Sequence, residues 1–456
     1  MSIVSLVKDI YWSLPLLPEA WKTNIFYWIR GKIFGIVKRK NDVFEEYVDE
    51  LMISTHLNNE FSIKFPKEVG YERKISDPKI IAFYLPQYYP DSHNDKWWGR
   101  GSTEWTNTTK TVPQYLGQYQ PRLPGELGFY DLRIKDNQRR QVELAKMYGI
   151  YGFCFYYYWF NGERLLDMPL DNFVNDKKLI FLFRYVGLMS LGQNNGQGAS
   201  NEVLIAQPKD VNSYKKFIDS CLPYFKHKNY IKINGKILLT IYRPDSLPNE
   251  SEVLKYWRDR VKNEIGCDLY LVASIGNEKQ YNVHYVNKGW DAASEFSPGP
   301  YVPVMKDITR EKQYVCKIFQ GKVFDYREFV ETKKYVNFED KKIYKAVCPM
   351  LDNTPRKLNR AAVFHGADPD LFKIWLKDII LFTKNNKSID DDLVFVNAWN
   401  EWAEGAYLEP DLKWKYKYLE AVRDAIFECR ESDVMKQTKH AGGVVSCNNV
   451  CFAEIA

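Results

Sequence analysis

Eight short apolar runs separated by helix-patterned segments constrain this sequence more than any other feature. They are KIIAFYLPQYY (79–89), IYGFCFYYYWF (150–160), KLIFLFRYVG (178–187), KILLTIYRP (236–244), DLYLVASIG (268–276), DAASEFSP (291–298), YKAVCPMLDN (344–353) and DLVFVNAWNEW (392–402). Continuous apolar strands suit a sheet buried on both faces. Amphipathic segments such as IKDNQRRQVELAKMYG, DVNSYKKFIDSCLPYF, NESEVLKYWRDRVKNEI and DPDLFKIWLKDIILFTK supply helices to cover it. Eight strands close a parallel barrel, so the expected class is α/β, a (β/α)8 TIM-like barrel with an N-terminal helical appendage. A doubly wound open sheet shares this periodicity and stays open as an alternative.

The chain of 456 residues is long enough for such a core. Residues 1–77 read as a basic, amphipathic appendage and linker. Residues 78–430 read as the catalytic domain, with the long charged stretch 301–340 as an insertion, and 431–456 as a flexible tail. The formal charge is +6, and residues 1–40 alone carry seven basic groups against two acidic ones, a net +5. The rest is nearly neutral, which argues against a nucleic-acid surface on the main domain, since phosphate neutralisation needs a basic stripe.

In TNIFYWIRGKIFGIVKRK (23–40), Arg30 and Lys32 interrupt the apolar run too early for a spanning helix. A helix lying peripherally on an anionic membrane surface fits this segment, and so does a helix packed on the domain. The N-terminus lacks the ordered basic, apolar and small-residue regions of a secretory signal. Eight cysteines without a CxxC pair read as free thiols of a reducing compartment. A cytoplasmic location is expected, with possible contact to the inner face of the membrane.

The ends of the runs are rich in polar and aromatic side chains, and a barrel keeps its chemistry at the carboxyl ends of its strands. Candidate substrate-binding residues are Tyr84, Gln87 and Tyr88; Tyr156, Tyr158, Trp159 and Asn161; Tyr242 and Arg243; Glu295; Asp352 and Asn353; and Trp399, Asn400 and Trp402. Aromatic residues make up 16% of the chain and cluster here, offering flat apolar faces with a polar handle, as sugar rings require.

The last run continues as FVNAWNEWAEGAYLEPD (395–411). Glycosidic cleavage uses two carboxyl groups flanking the bond. Residues three apart on a straight strand face opposite ways, so Glu401 and Glu404 can share a site only if the chain turns after Trp402, and Gly405 suits such a bend. The alternative is a pair of acids capping the last helix, a role that needs no tryptophan beside it. No metal or cofactor is expected. The six histidines are dispersed without an HExxH, there is no glycine-rich phosphate loop, and the acidic Asp390–Asp392 precedes the eighth strand, at the far end of a barrel from its site.

Several long motifs in order carry a family resemblance: IAFYLPQYYP, WWGRGSTEWTNTTK, YGFCFYYYWFNGERLLDMPLDNF, INGKILLTIYRPD, DNTPR with FHG, and NAWNEWAEGAYLEPD. From about Lys79 to Ile426 the chain resembles the WbsX-type bacterial glycosyltransferases, which are similar to the endo-α-mannosidases of glycoside hydrolase family 99. The resemblance implies a (β/α)8 barrel and a retaining enzyme acting on an oligo- or polysaccharide in cell-surface polysaccharide (O-antigen or capsule) assembly. It implies Glu401 as the base that takes the sugar 2-hydroxyl proton, forming a 1,2-anhydro sugar, and Glu404 as general acid/base. A nucleotide-sugar-dependent transferase and an inactive glycan-binding scaffold remain as alternatives. The stretch RYVGLMSLGQNNGQGASNEVLIAQ departs from the family's WANENW-like motif, which implies a different substrate or a binding-only relative.

Overall fold

The computed structural model describes residues 45, 47, 48, 71–160, 162–176, 184–190, 193, 194, 203–205, 209–335 and 342–441. The segment 23–40, Asn161, most of the third run and half of the departing stretch that follows from Arg184 lie outside these residues. The chain divides into two units, residues 1–61 with 313–315, and residues 62–312 with 316–456. Among the described residues, no helix is long and apolar enough to cross a membrane.

The second unit is an α/β fold. Its main sheet comprises β1 (Lys79–Tyr84), β2 (Ile150–Phe160), β3 (Arg184–Ser190), β4 (Lys236–Ile241), β5 (Leu269–Ile275), β6 (Ala292–Glu295), β7 (Ile343–Tyr344), β8 (Ala346–Val347) and β9 (Leu393–Val396). The order is β7-β6-β5-β4-β3-β2-β1-β9-β8, and every neighbouring pair is parallel. β7 and β8 stand at the two ends of this path, yet only Lys345 separates them in sequence. Ile343 pairs with Ala293 of β6, and Ala346 pairs with Phe395 of β9.

The alternation of side chains along a strand divides the aromatic residues between two environments. Phe83 on β1 meets Phe395 (5.6 Å between ring centroids), Phe296 just beyond β6 (5.0 Å) and Tyr156 of β2 (6.1 Å). Its neighbour Tyr84 points the other way, against Phe153 and Phe155, and donates to Gln141 Oε1 at 2.7 Å. Gln141 belongs to a helix of the covering layer.

That layer includes α1 (Glu104–Thr108), α2 (Lys135–Met147), α3 (Met168–Asn175), α4 (Val211–Phe225), α5 (Glu250–Ile265), α6 (Tyr326–Glu331), α7 (Thr354–Lys357), α8 (Pro369–Asn385) and α9 (Lys417–Ala441). The helices start where the sequence provides caps. Asp210 accepts from Ser213 N at 2.8 Å ahead of α4, and Asp368 accepts from Leu371 N at 2.9 Å ahead of α8, with Pro369 at the first helical position. α8 buries Leu371, Phe372, Trp375, Leu376, Ile379 and Ile380, the stripe its periodicity announces.

Within 301–340, expected as an insertion, several described residues join a small sheet and the helices of this unit. Lys322–Asp325 pairs in parallel with Ala362–His365, and Tyr301, Phe329 and Tyr335 pack their rings on Trp375 at 5.5, 5.1 and 5.6 Å. The charged residues between these aromatics mask the apolar period. At the amino ends of the strands, Asp390 accepts from Tyr270 (2.6 Å) and pairs with Lys342 (2.7 Å), and Asp391 pairs with Lys79.

One ion pair spans the seam between β6 and the β7–β8 segment. Lys345 Nζ lies 2.8 Å from Glu295 Oε1, and the side chains are 3% and 0% exposed. Glu295 also accepts from Tyr281 (2.6 Å), Tyr301 and Ala346 N (3.0 Å). Glu295, expected to bind substrate, is thus fully engaged inside the protein. Breaking one half of a buried pair strands the other charge. Lys345→Met should therefore cost about 3–5 kcal/mol in chemical denaturation, and a cost below about 1 kcal/mol would show that the seam does not depend on the pair.

Candidate active site

The chain beyond β9 turns back on itself as the glutamate spacing requires. Asn400–Glu401 pairs antiparallel with Ala406–Tyr407, and Trp402–Glu404 forms a single 3-10 turn between them. Gly405 closes the turn at φ 59°, in the left-handed region. A Cβ there would lie 2.9 Å from Asp352 N and 3.0 Å from Asp352 O, because Asp352 N donates to Glu404 O at 2.7 Å. Both the conformation and the close backbone approach call for glycine.

The turn delivers Glu401 and Glu404 to one guanidinium. Arg356 Nη1 lies 2.8 Å from Glu404 Oε1, and Arg356 Nη2 lies 2.8 Å from both Glu401 Oε2 and Glu104 Oε1. Glu104 (1% exposed side chain) and Glu401 (6%) are buried, while Glu404 (31%) reaches solvent. Three carboxylates thus share one cation. Burial pushes the Glu401 carboxyl up to about 8; Arg356 opposes that shift, and Glu404 and Glu104 add to it as like charges.

A family model described as glycosyltransferase WbsX matches residues 80–422, three quarters of the sequence. The chain belongs to the WbsX glycosyltransferase family. It is 37% identical over 347 residues, 76% of its length, to WxcX, an uncharacterized protein of Xanthomonas campestris pv. campestris (strain B100). That match covers 49% of WxcX, so the chain spans about half the length of the curated relatives it matches. Among solved structures, a glycoside hydrolase-like protein superposes with a TM-score of 0.50 at 14% identity, covering 80% of this chain and 97% of the other, a likeness of fold. The endo-alpha-mannosidase of glycoside hydrolase family 99 from Bacteroides thetaiotaomicron superposes with a TM-score of 0.46 at 13% identity, covering 78% of this chain and 98% of that one.

In this WbsX-family site the expected residues divide into two groups. Tyr156, Tyr158 and Tyr242 stand beside the acids. Tyr156 donates to Asn397 Oδ1 at 3.5 Å, and its hydroxyl favours the ionised form of Glu401. Burial raises all three hydroxyls, and the charges of Glu401 and Glu404 raise them further. Arg243 is exposed, its guanidinium 5.6 Å from the Tyr242 ring centroid.

The second group builds the frame. Trp159, Trp399 and Trp402, expected as walls of the cleft, are at most 1% exposed, and Tyr84 equally so. Trp159 packs on Phe217 of α4, and Trp399 on Phe153. Trp402 stacks on Tyr407 at 3.8 Å and donates from Nε1 to Glu409 Oε2 at 2.6 Å. Glu409 also accepts from Tyr130 (2.9 Å) and Gln141 (2.7 Å), and burial pushes it up to about 7. Asn400 exchanges hydrogen bonds with Leu85, accepting at 2.7 Å and donating at 3.0 Å, and Tyr88 donates to the Asn400 carbonyl. Trp402, Asn400 and Glu409 hold the turn from behind.

Three further candidates support the cation and its partner. Asp352 accepts from Gln118 (2.9 Å) and from Thr354 at the start of α7. Asn353 Oδ1 accepts from Ala362 N (2.8 Å), and its carbonyl accepts from Arg356 N (3.0 Å). The Gln87 carbonyl accepts from Glu104 N at 2.9 Å. Arg356 and Glu104 themselves were not among the expected residues, although the motifs DNTPR and GSTEW contain them. A cluster of acids with no cation nearby in sequence was the available signal.

Two outcomes follow. Gly405→Ala should destabilise the fold by about 1–3 kcal/mol in denaturant titrations, a cost set by its left-handed conformation. The folded state binds the Glu401 proton more tightly than the unfolded chain, so this stability is fully present below about pH 4.5 and is lost as pH rises through about 8. The melting temperature of Glu401→Gln should therefore gain on the wild type as pH rises from about 5 to 9, and a constant difference would contradict a raised Glu401.

Proposed function

We propose that this protein breaks and re-forms glycosidic bonds in a retaining, endo-acting manner on a bacterial cell-surface polysaccharide or its precursor, with residues 78–430 as the catalytic domain. The observation that carries this reading is the single guanidinium bridging Glu401 and Glu404. Each carboxyl group lies 2.8 Å from a nitrogen of that guanidinium, so the two converge on one point, as a pair flanking a single glycosidic bond must. Family membership supports a sugar substrate, and the tyrosines beside the acids supply polar-edged apolar faces for it.

The same proposal includes closure of the sheet as a (β/α)8 barrel. The near-continuity of β7 and β8, and the 5.0 Å approach of Phe83 to Phe296 across the sheet, support it. The acids then lie beyond the carboxyl end of the last strand, where barrel enzymes hold their chemistry.

The proposed reaction has two balanced steps. Ionised Glu401 takes the proton of the sugar 2-hydroxyl, and that oxygen attacks the anomeric carbon. The bond to the leaving oxygen breaks as Glu404 gives it a proton, leaving a 1,2-anhydro sugar. An incoming hydroxyl, from water or a second sugar, then opens the anhydro ring, giving its proton to Glu404 while O2 recovers one from Glu401. A base with a pKa near 8 is a stronger proton acceptor than an ordinary carboxylate, which suits abstraction from an alcohol.

Kinetics on a panel of cell-surface polysaccharide precursors test the reading. Glu401→Gln and Glu404→Gln should each lower turnover by roughly 10²- to 10⁴-fold with glycan binding retained, and the two losses should not add. As a base, Glu401 gives kcat/KM a limb that rises with pH towards about 8. A limb that falls there would reverse the two roles. Unchanged chains across the panel, with binding intact, would favour a glycan-binding scaffold.

A further inference from the structure

Glu104 reaches the acids from α1, far from them in sequence. Its Oε1 accepts from Arg356 Nη2 at 2.8 Å and from Ala403 N at 3.0 Å. Ala403 lies between Glu401 and Glu404, so one oxygen holds both the turn that carries the acids and the cation that bridges them. The other oxygen, Oε2, is buried without a hydrogen-bond partner. A buried carboxylate with half its capacity unused is costly, and Arg356 is the charge that offsets it.

We propose that Arg356 and Glu104 are a pair of positioning residues acting on Glu401: Arg356 holds its carboxylate and favours the ionised form, while Glu104 pins Arg356 and opposes ionisation. Together they set how much of Glu401 stands ready as a base. This rests on the proposed function only for the use to which that base is put.

The groups that face Glu401 are Arg356 from α7, Glu404 from its own turn and Glu104 from α1, with the hydroxyls of Tyr156 and Tyr158 from β2, Tyr242 after β4 and Tyr88 after β1. Arg356 is the one cation among them, so the two members of the pair act with opposite sign. A purely structural role would act with one sign. Loosening the site in either variant would admit water, relieve burial and pull Glu401 down in both.

The test needs no substrate. In full-length protein carrying carboxyl-13C glutamate, the Glu401 signal is assigned by its loss in Glu401→Gln, and its midpoint is followed by NMR against pH. Arg356→Gln should raise the midpoint by at least about one pH unit, and Glu104→Gln should lower it by a similar amount. Arg356→Lys, which keeps the charge and loses the fork, should leave it within about half a unit of the wild type. A midpoint lowered by Arg356→Gln, or unmoved by Glu104→Gln, overturns the proposal. If Arg356→Gln fails to fold, Arg356→Lys decides: a midpoint within about half a unit of the wild type upholds the pair, and one lowered by about a unit or more, as loosening would give, overturns it. Inactivity of the wild type on every glycan, with these shifts intact, would overturn the functional reading and leave this one standing.

Discussion

Placing three carboxylates around one guanidinium in a largely dry site is the constraint to which the rest of the molecule answers. Charges out of water need partners, and a single cation cannot neutralise three acids. The surplus falls on Glu401, whose ionised form is disfavoured by burial and by the like charges of Glu404 and Glu104. What would be a defect in a purely structural core becomes a store of chemistry, because a carboxyl kept near neutrality can exchange its proton at the pH of a cell. Burial alone would raise Glu401 without orienting it. The fork of Arg356 gives the direction that burial lacks.

Behind this cluster stands a second one, centred on Glu409. Glu409 accepts from an indole, a phenol and an amide, and through Trp402, Tyr130 and Gln141 it ties the turn to the helical layer. Rigid support of this kind is what holds reacting groups within fractions of an ångström of a working geometry. The division of labour is by strand face. Phe83 and Tyr156 look to one side of the sheet and Tyr84 to the other, so neighbouring residues in one motif serve unrelated purposes.

Seven of the strand runs, the order of the described elements and the turn at Gly405 were legible in the sequence, because periodicity and glycine placement are local properties, while most of the third run lies outside the described residues. The tryptophans misled. An aromatic residue beside a candidate acid reads as a binding wall, yet Trp399 and Trp402 are anchors, and only the strand face to which each belongs distinguishes the two roles. Arg356 and Glu104 were invisible for a different reason. Their importance lies in a meeting of segments about 250 residues apart, and no local pattern encodes such a meeting. The aromatic residues of 301–335 were hidden by the charges between them, which the packing on Trp375 directs outward.

The pairing of the first strand with the last has a consequence for how the molecule comes into being. Leu85 and Asn400, 315 residues apart, hold each other at the foot of the turn. On a ribosome the N-terminal strand emerges long before its partner, and until β9 follows, one edge of β1 offers unpaired backbone groups to any passing strand. The turn that carries Glu401 and Glu404 emerges directly after β9. Pairing of the first strand and assembly of the acids around Arg356 therefore belong to one late event, and a nascent chain does not bring the three carboxylates together before that edge is covered.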